Sequence, residues 1–474
     1  MNKYKRLAKN ILLLLLGNFV TKILSFLMVP FYTSILSTSD YGTADLISTT
    51  VLLTLPIFSL LMDEAIMRFA LDSSQDKKVV FKTAMVISTV GFLIALCISP
   101  VILLFEVLRP YYIFVILYYV SLWLYNLFSN YVKGLDKINI TTTAGIIHTF
   151  FYLGINIIGL AVLKWGVYGY LLAIDLSNLI AAAYLFFYCK LYKNLNEFKK
   201  FDFKLAKEMI KYSAPMIPDY ISWWVNNAAD RYILALFCGT SVTGIYSVAG
   251  KIPTILNSLT SIFSSAWKIS AVDNFGSKES IAFYNRVYRV YNGFLVMSAA
   301  ALIFVTKFLA SILYSKDFFI AWKITPILIL AYIFSAQAIF LGSIFTSAKK
   351  TNSMFLASTA GAIVNLILNF LLVFRFGGMG TAIGTAVGYF VIFMTNVKLT
   401  RKIIKIDLKL GKSFVCYSFL ILEILAVISD NPKFILFSLI CVIVIVLMNI
   451  KEFFELLKEL LKVLLSKFFR KEKC

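Results

Sequence analysis

Residues 213–252 read SAPMIPDYISWWVNNAADRYILALFCGTSVTGIYSVAGKI, and their pattern decides the fold. Two apolar segments are hinged there at Gly239 and Gly244. In the first, Asp219, Trp223, Asn226 and Asp230 recur at i, i+4, i+7 and i+11. That spacing makes one polar stripe along a helix, with Arg231 beside it. In the second segment, Ser247, Lys251, Thr254, Ser258, Ser261 and Ser265 follow the same alternation of four and three. Each segment is long enough to cross a bilayer, yet each has a hydrophilic face. A spanning helix must turn such a face toward other helices or a water-filled cavity, because lipid offers it no hydrogen-bond partner. The pattern points to a transporter built around that cavity.

The composition agrees. Of 474 residues, 60% are apolar and 16% aromatic, and the mean hydropathy is +0.85, which marks a polytopic membrane protein. No soluble domain is visible, so the net charge of +22 falls in short loops and argues for cytoplasmic loops, not for nucleic acid. The six cysteines (Cys97, Cys189, Cys238, Cys416, Cys441 and Cys474) show no CxxC or Cys/His spacing, so neither a disulfide framework nor a metal site is expected. One histidine, no phosphate loop and no outward-facing carboxylate pair leave no enzymatic constellation, and no cofactor is expected. The N-terminus has a basic flank and an apolar run to about Leu36 without a cleavage site, which reads as a retained first helix.

About twenty apolar residues span the hydrocarbon layer, and that ruler marks about fourteen helices. The first six are expected at 10–35, 43–67, 80–105, 111–132, 140–163 and 167–189, and the next six at 213–237, 244–268, 288–313, 322–347, 353–374 and 379–398. A last pair runs 412–429 and 433–450. With the N-terminus in the cytoplasm, six of the 46 Lys and Arg fall in outer loops: Arg109, Lys164, Lys316, Lys323, Arg375 and Lys433. Four fall inside spans (Lys22, Arg231, Lys251 and Lys307), and the other 36 lie on the inner side. Both termini are therefore expected in the cytoplasm.

A shift of 202 sets ILSTSDYGTAD against the stretch LFCGTSVTGIYS, with Gly42 on Gly244. Shifts of 213 and 211 align LDKIN with AKKTN and GVYG with GGMG. Six helices per repeat give two halves of like orientation. The expected organisation is an N-lobe at 1–211, a C-lobe at 212–411, and a helix pair with a tail at 412–474. Gly380, Gly384 and Gly388 point to close helix packing. The stretch after Ile450, KEFFELLKELLKVLLSKFFRKEK, reads as an amphipathic helix on the anionic inner leaflet.

A charge at mid-bilayer costs about 2.5–3.5 kcal/mol on insertion scales. Lys22 lies roughly 18 Å from either end of its helix, too deep to snorkel. It either faces a cavity, with Asn18 on its face, or sits in a buried pair. Arg231 and Asp230 adjoin each other and form either a structural salt bridge or a substrate contact. Asn226 is on the same stripe. Lys251 is a cavity candidate on its hydroxyl-rich face, and Lys307 is near enough to a terminus to snorkel. Arg68, with Asp63 and Glu64, is a cavity-mouth contact or a boundary charge. His148 and Asp175 are candidates for ion coupling, against the alternative of ordinary interior residues.

KILSFLMVPFYTSILSTSDYGTADL (22–46) and DRYILALFCGTSVTGIYSVAGKIP (230–253) resemble the oligosaccharide flippases (Wzx type) of bacterial polysaccharide synthesis. These belong to a superfamily that includes multidrug and toxin extrusion (MATE) exporters and lipid II flippases. The resemblance implies two six-helix lobes in a MATE-like V, alternating access through a central cationic cavity, and a C-terminal helix pair at 412–450. It implies movement of an undecaprenyl-diphosphate-linked glycan between leaflets of the bacterial cytoplasmic membrane. Lys22, Arg231 and Lys251 match by position the cations such a cavity needs. Implied partners are the lipid-linked glycan, membrane lipids, and the polymerase and glycosyltransferases of the same pathway. A drug antiporter and a lipid II flippase are the alternatives.

Overall fold

A computed structural model describes residues 26–195, 201–275, 280–348 and 350–471, and among these the regular structure is all helical. Eleven helices among the described residues are long and apolar enough to cross a bilayer. Two of them, Phe203–Ala249 and Ser353–Arg401, run to 47 and 49 residues, more than twice the about twenty a crossing needs. Most of the first expected span, 10–35, lies outside the described residues. Its end is α1 (Phe26–Ile35). The chain forms two compact units, residues 1–247 and 248–474.

The first unit holds α2 (Thr38–Ser59), α3 (Met62–Leu71), α4 (Lys77–Ile98), α5 (Tyr112–Gly134), α6 (Ile138–Asn156) and α7 (Val167–Tyr188). A single turn, α8 (Tyr192–Leu195), then α9 (Phe203–Ser213) and α10 (Ile217–Ala249) follow. The expected span 43–67 is not one helix. Leu60 and Leu61 both take the left-handed conformation, with φ 52° and 51°, which costs on the order of 1–2 kcal/mol per residue. The break starts α3 afresh, with Asp63 and Glu64 in its first turn, where free N–H groups favour carboxylates. Phe81, Leu127, Met62 and Ile66, all fully buried, form the core against which these helices pack.

Within α10, Gly239 is the break (φ 84°, ψ 167°). Only a residue without a Cβ adopts that conformation cheaply, and it folds the helix into two arms. Gly244, expected as a second hinge, stays helical and serves a close approach instead.

The second unit holds α11 (Pro253–Asn274), α12 (Ser280–Leu313), α13 (Thr325–Ser347), α14 (Thr351–Arg401), α15 (Leu410–Ile428) and α16 (Pro432–Lys471). Gly377 breaks α14 as Gly239 breaks α10, with φ 52° and ψ −130°. Its two arms pack through Gly380, Gly384 and Gly388, where a Cβ would collide with Leu372, Asn369 and Asn365. A buried polar network joins four helices here. The Tyr288 hydroxyl donates to Gln337 Oε1 (2.8 Å), and Gln337 Nε2 donates to Asn292 Oδ1 (3.0 Å) and to the Tyr417 hydroxyl (2.5 Å). Asn292 Nδ2 donates to Ser413 (3.1 Å), and Asn449 Nδ2 reaches Cys416 Sγ (3.5 Å). Bonds of this kind average about 0.6 kcal/mol in membranes. Their main effect is to set which faces of α12, α13, α15 and α16 meet. The stretch after Ile450, expected as a separate surface helix, continues α16 without a break to Lys471.

Candidate functional site

The helical arms that open at Thr38 and Thr240 both begin with hydroxyl residues and a glycine, STSDYG at 37–42 and GTSVTG at 239–244. Ser37 caps α2 with a reciprocal pair. Its hydroxyl accepts from the Asp40 N–H (3.0 Å), and the Asp40 carboxylate accepts from the Ser37 N–H (3.2 Å). The arms cross at Gly42 and Gly244, where a Cβ on either would strike the other arm's backbone carbonyl, Thr240 or Thr38. The hydroxyls of Thr38 and Ser241 (2.6 Å) and of Ser39 and Thr240 (2.7 Å) fasten the crossing. Under the shift of 202, Thr38 corresponds to Thr240 and Ser39 to Ser241. The contacts pair each residue with the other's counterpart, the reciprocal pattern of a local two-fold axis.

One to two turns further along, the seam carries charge. Arg231 Nε donates to Asp45 Oδ2 at 2.8 Å, and the same oxygen accepts from the Ser247 hydroxyl at 2.6 Å. Arg231 also donates to the Asn227 carbonyl, and its guanidinium lies 5.9 Å from the centre of the Tyr246 ring. About a fifth of each partner's side chain is exposed, 21% for Arg231 and 22% for Asp45. Asp230 points the other way. It is 1% exposed and accepts from the Tyr246 hydroxyl at 2.5 Å, across the Gly239 break. Adjacent residues on a helix differ by about 100° in direction, and Arg231 finds a hydrogen-bonded ionic partner on α2. Below this cluster the Trp224 indole donates to the Thr49 carbonyl (2.9 Å), and the Tyr232 hydroxyl meets Thr50.

The other expected residues are dispersed. Lys22 and Asn18 lie outside the described residues. Asn226 is buried and its amide donates to Ser222 of its own helix (2.8 Å). Lys251 is half-buried in the turn between α10 and α11, not inside a helix. Pro253 explains this, because it lacks the N–H needed to continue a helix and is well placed to begin one. The hydroxyls of Thr254, Ser258 and Ser261 bond back to their own helix backbone. Arg68 is exposed in the last turn of α3. Just beyond it, the Ser74 N–H and hydroxyl hold the Asp72 carboxyl below its ordinary range. Lys307 is bonded to Asp430 and lies 5.1 Å from the Trp322 ring centre.

Asp175 is 2% exposed, and neither carboxylate oxygen has a hydrogen-bond partner among the described residues. On α6, His148 is stacked on Tyr125 (5.5 Å) and on Tyr152 (6.1 Å). Asp45 is the residue that sequence reasoning missed. Its signal is present in the repeat, since the shift of 202 sets it opposite Ser247.

A family profile described as polysaccharide biosynthesis protein matches residues 7–267. No curated protein matches the chain in sequence. Among solved structures, the lipid II flippase MurJ in an inward closed conformation superposes with a TM-score of 0.70 at 15% identity, covering 93% of this chain and 98% of that one. An inward-facing multidrug resistance MATE family transporter of the MOP superfamily gives 0.62 at 13% identity, over 80% of this chain and 97% of its own. A MOP superfamily transporter from Pyrococcus furiosus gives 0.57 at 13% identity, over 83% and 95%. At such identities the likeness is one of fold. The molecule is a multi-pass membrane protein with the fold shared by MurJ and MATE transporters.

Proposed function

This chain belongs to the polysaccharide biosynthesis protein family, and on that premise we propose that it is a flippase. It carries an undecaprenyl-diphosphate-linked oligosaccharide repeat unit from the inner to the outer leaflet of the bacterial cytoplasmic membrane, by alternating access. Both termini lie in the cytoplasm, and the polymerase and glycosyltransferases of the pathway act after and before it. The observation that carries this reading is Arg231, a guanidinium among spanning helices whose ionic partner reaches it from α2 and which stays about a fifth exposed. A guanidinium fork matches a phosphate in two parallel hydrogen bonds, and each is strengthened where water is scarce. An arriving diphosphate can take the place of Asp45, so cargo binding and loosening of the α2–α10 seam become one event. Lys22 and Lys251 are proposed as further cations for the same cargo, with Arg68 at the mouth.

Two further features support a lipid-linked cargo. An apolar groove of about 520 Å³ runs along α13, α14 and α15, lined by Phe334, Ile383, Phe390, Phe414, Ile421 and Leu425, a surface suited to a polyprenyl chain. Once cargo displaces Asp45, the proposed cations Arg231, Lys22 and Lys251 would also repel the cations that a drug antiporter carries. Asp175, buried without a donor among the described residues, is proposed for ion coupling together with His148.

Disruption of the gene tests the reading. Surface polysaccharide is expected to be lost, with its lipid-linked unit trapped on the cytoplasmic leaflet and dye resistance unchanged. Sensitivity to cationic dyes with intact glycan would replace the reading with drug export. Trapped peptidoglycan precursor would replace it with lipid II flipping.

A further inference from the structure

The helix pair α15–α16 contains a carboxyl group that no described side chain neutralises. Glu423 is 0% exposed within the protein, and neither of its carboxylate oxygens has a hydrogen-bond partner among the described residues. The Ser438 hydroxyl, 1% exposed on α16, is likewise without a partner. Cys441, one turn further on the same face of α16, is fully buried. Alongside runs α12. Its contacts Asn292–Ser413 and Lys307–Asp430 set a register that brings the buried alanines Ala299 and Ala300 level with Glu423.

Among the described residues, no charged side chain answers the carboxyl from these helices. From α16 the titratable group on the Ser438 face is the Cys441 thiol. On α12, Lys307 is bonded to Asp430 at the end of the pair, about 10 Å along the axis from Glu423. The other ionisable residues of α12 (Tyr284, Arg286, Tyr288, Arg289 and Tyr291) lie toward its opposite end, and α13 offers only Tyr332. An ionised carboxylate so placed would cost several kcal/mol without a compensating donor, whereas the acid form carries no charge. Ser438 also borders a mostly apolar cavity of about 620 Å³, whose polar lining groups are Lys307, Ser311, Asp430 and Asn431 beside phenylalanines such as Phe304 and Phe308. The cavity reaches Ser438 and the end of α15 at Ala426 and Val427, one turn from Glu423, while the carboxyl itself stays buried.

We propose that Glu423 is a proton-binding site of the α15–α16 pair, loaded in this conformation and emptied through the cavity beside Ser438. Loss of the proton leaves a bare carboxylate between α12, α15 and α16. The pair must then loosen to admit water, which links its packing to the proton.

Infrared spectroscopy of the purified full-length protein tests this, since an un-ionised carboxyl absorbs apart from a carboxylate. At neutral pH the wild type is expected to show a buried-acid band that Glu423→Gln removes and Asp175→Asn leaves in place. Ser438→Ala is expected to slow exchange of that band in heavy water. If Glu423→Gln does not fold, wild-type protein made with carboxyl-labelled glutamate reads the same group, because the label moves a glutamic acid band and not that of Asp175. A spectrum in which no glutamic acid band appears at neutral pH, or in which Glu423→Gln leaves the band at full intensity, overturns the proposal. The spectrum reads the proton directly and requires no cargo.

Discussion

Asp45 on α2 and Glu423 on α15 are both carboxyl groups inside membrane-spanning helices, and their surroundings treat them in opposite ways. Asp45 receives a guanidinium and a hydroxyl on one oxygen. Glu423 receives no donor among the described residues. The difference follows from what each helix seam brings together. Two N-terminal arms rich in hydroxyls cross at Gly42 and Gly244, close enough for short polar side chains to meet. The seam at Glu423 is formed by alanines, a serine and a cysteine, none of which carries a positive charge. A buried acid can be balanced by a fixed partner or by a proton. The first choice makes a contact that cargo can compete for, and the second makes a contact that pH can change.

The most drastic way to break this contrast is to stop the α2–α10 seam from opening. Thr38→Cys with Ser241→Cys replaces two hydroxyls 2.6 Å apart, a separation compatible with disulfide bonding. Oxidation is expected to abolish appearance of the surface polysaccharide, and reduction to restore it. Full export with complete cross-linking would show that this seam stays closed throughout the cycle.

Next in size is the ion pair. Arg231→Ala leaves Asp45 without its counter-charge, and because the pair is about a fifth exposed the stability loss is expected to be about 1–2 kcal/mol, below that of a fully buried pair. Export is expected to fall by at least roughly tenfold, the effect of losing about 1.4 kcal/mol of cargo binding. Arg231→Ala combined with Asp45→Ala should recover the melting temperature but not export. Recovery of both would leave Arg231 with a structural role alone.

The smallest effect belongs to the neighbouring carboxylate. Tyr246→Phe removes the hydroxyl that satisfies Asp230 and is expected to cost about 1–3 kcal/mol, with export per folded molecule unchanged. A large export defect at normal stability would bring Asp230 into the cargo site.

Much of this was open to reading along the chain. Hydropathy over about twenty residues is a local property set by bilayer thickness, so the helical, multi-span architecture follows from the residues themselves. Gly239 marks a break because a positive φ requires glycine there. The shift of 202 aligns Gly42 with Gly244, though the sequence reads Gly244 as a hinge and only the structure shows their crossing, while Gly380, Gly384 and Gly388 line the close seam their spacing suggests. Other features leave no such mark. Leu60 and Leu61 break a helix without a glycine, because tertiary packing holds two leucines where their own preferences do not lead.

The sequence by itself determined that charged groups sit among apolar helices. It could not determine which of them find partners. Asp230 adjoins Arg231 along the chain yet faces Tyr246, while Asp45, 186 residues away, reaches the guanidinium. Glu423 lies in a run that reads as an ordinary span. Partner choice depends on which faces of distant helices come within about 3 Å, and only the packed structure decides that.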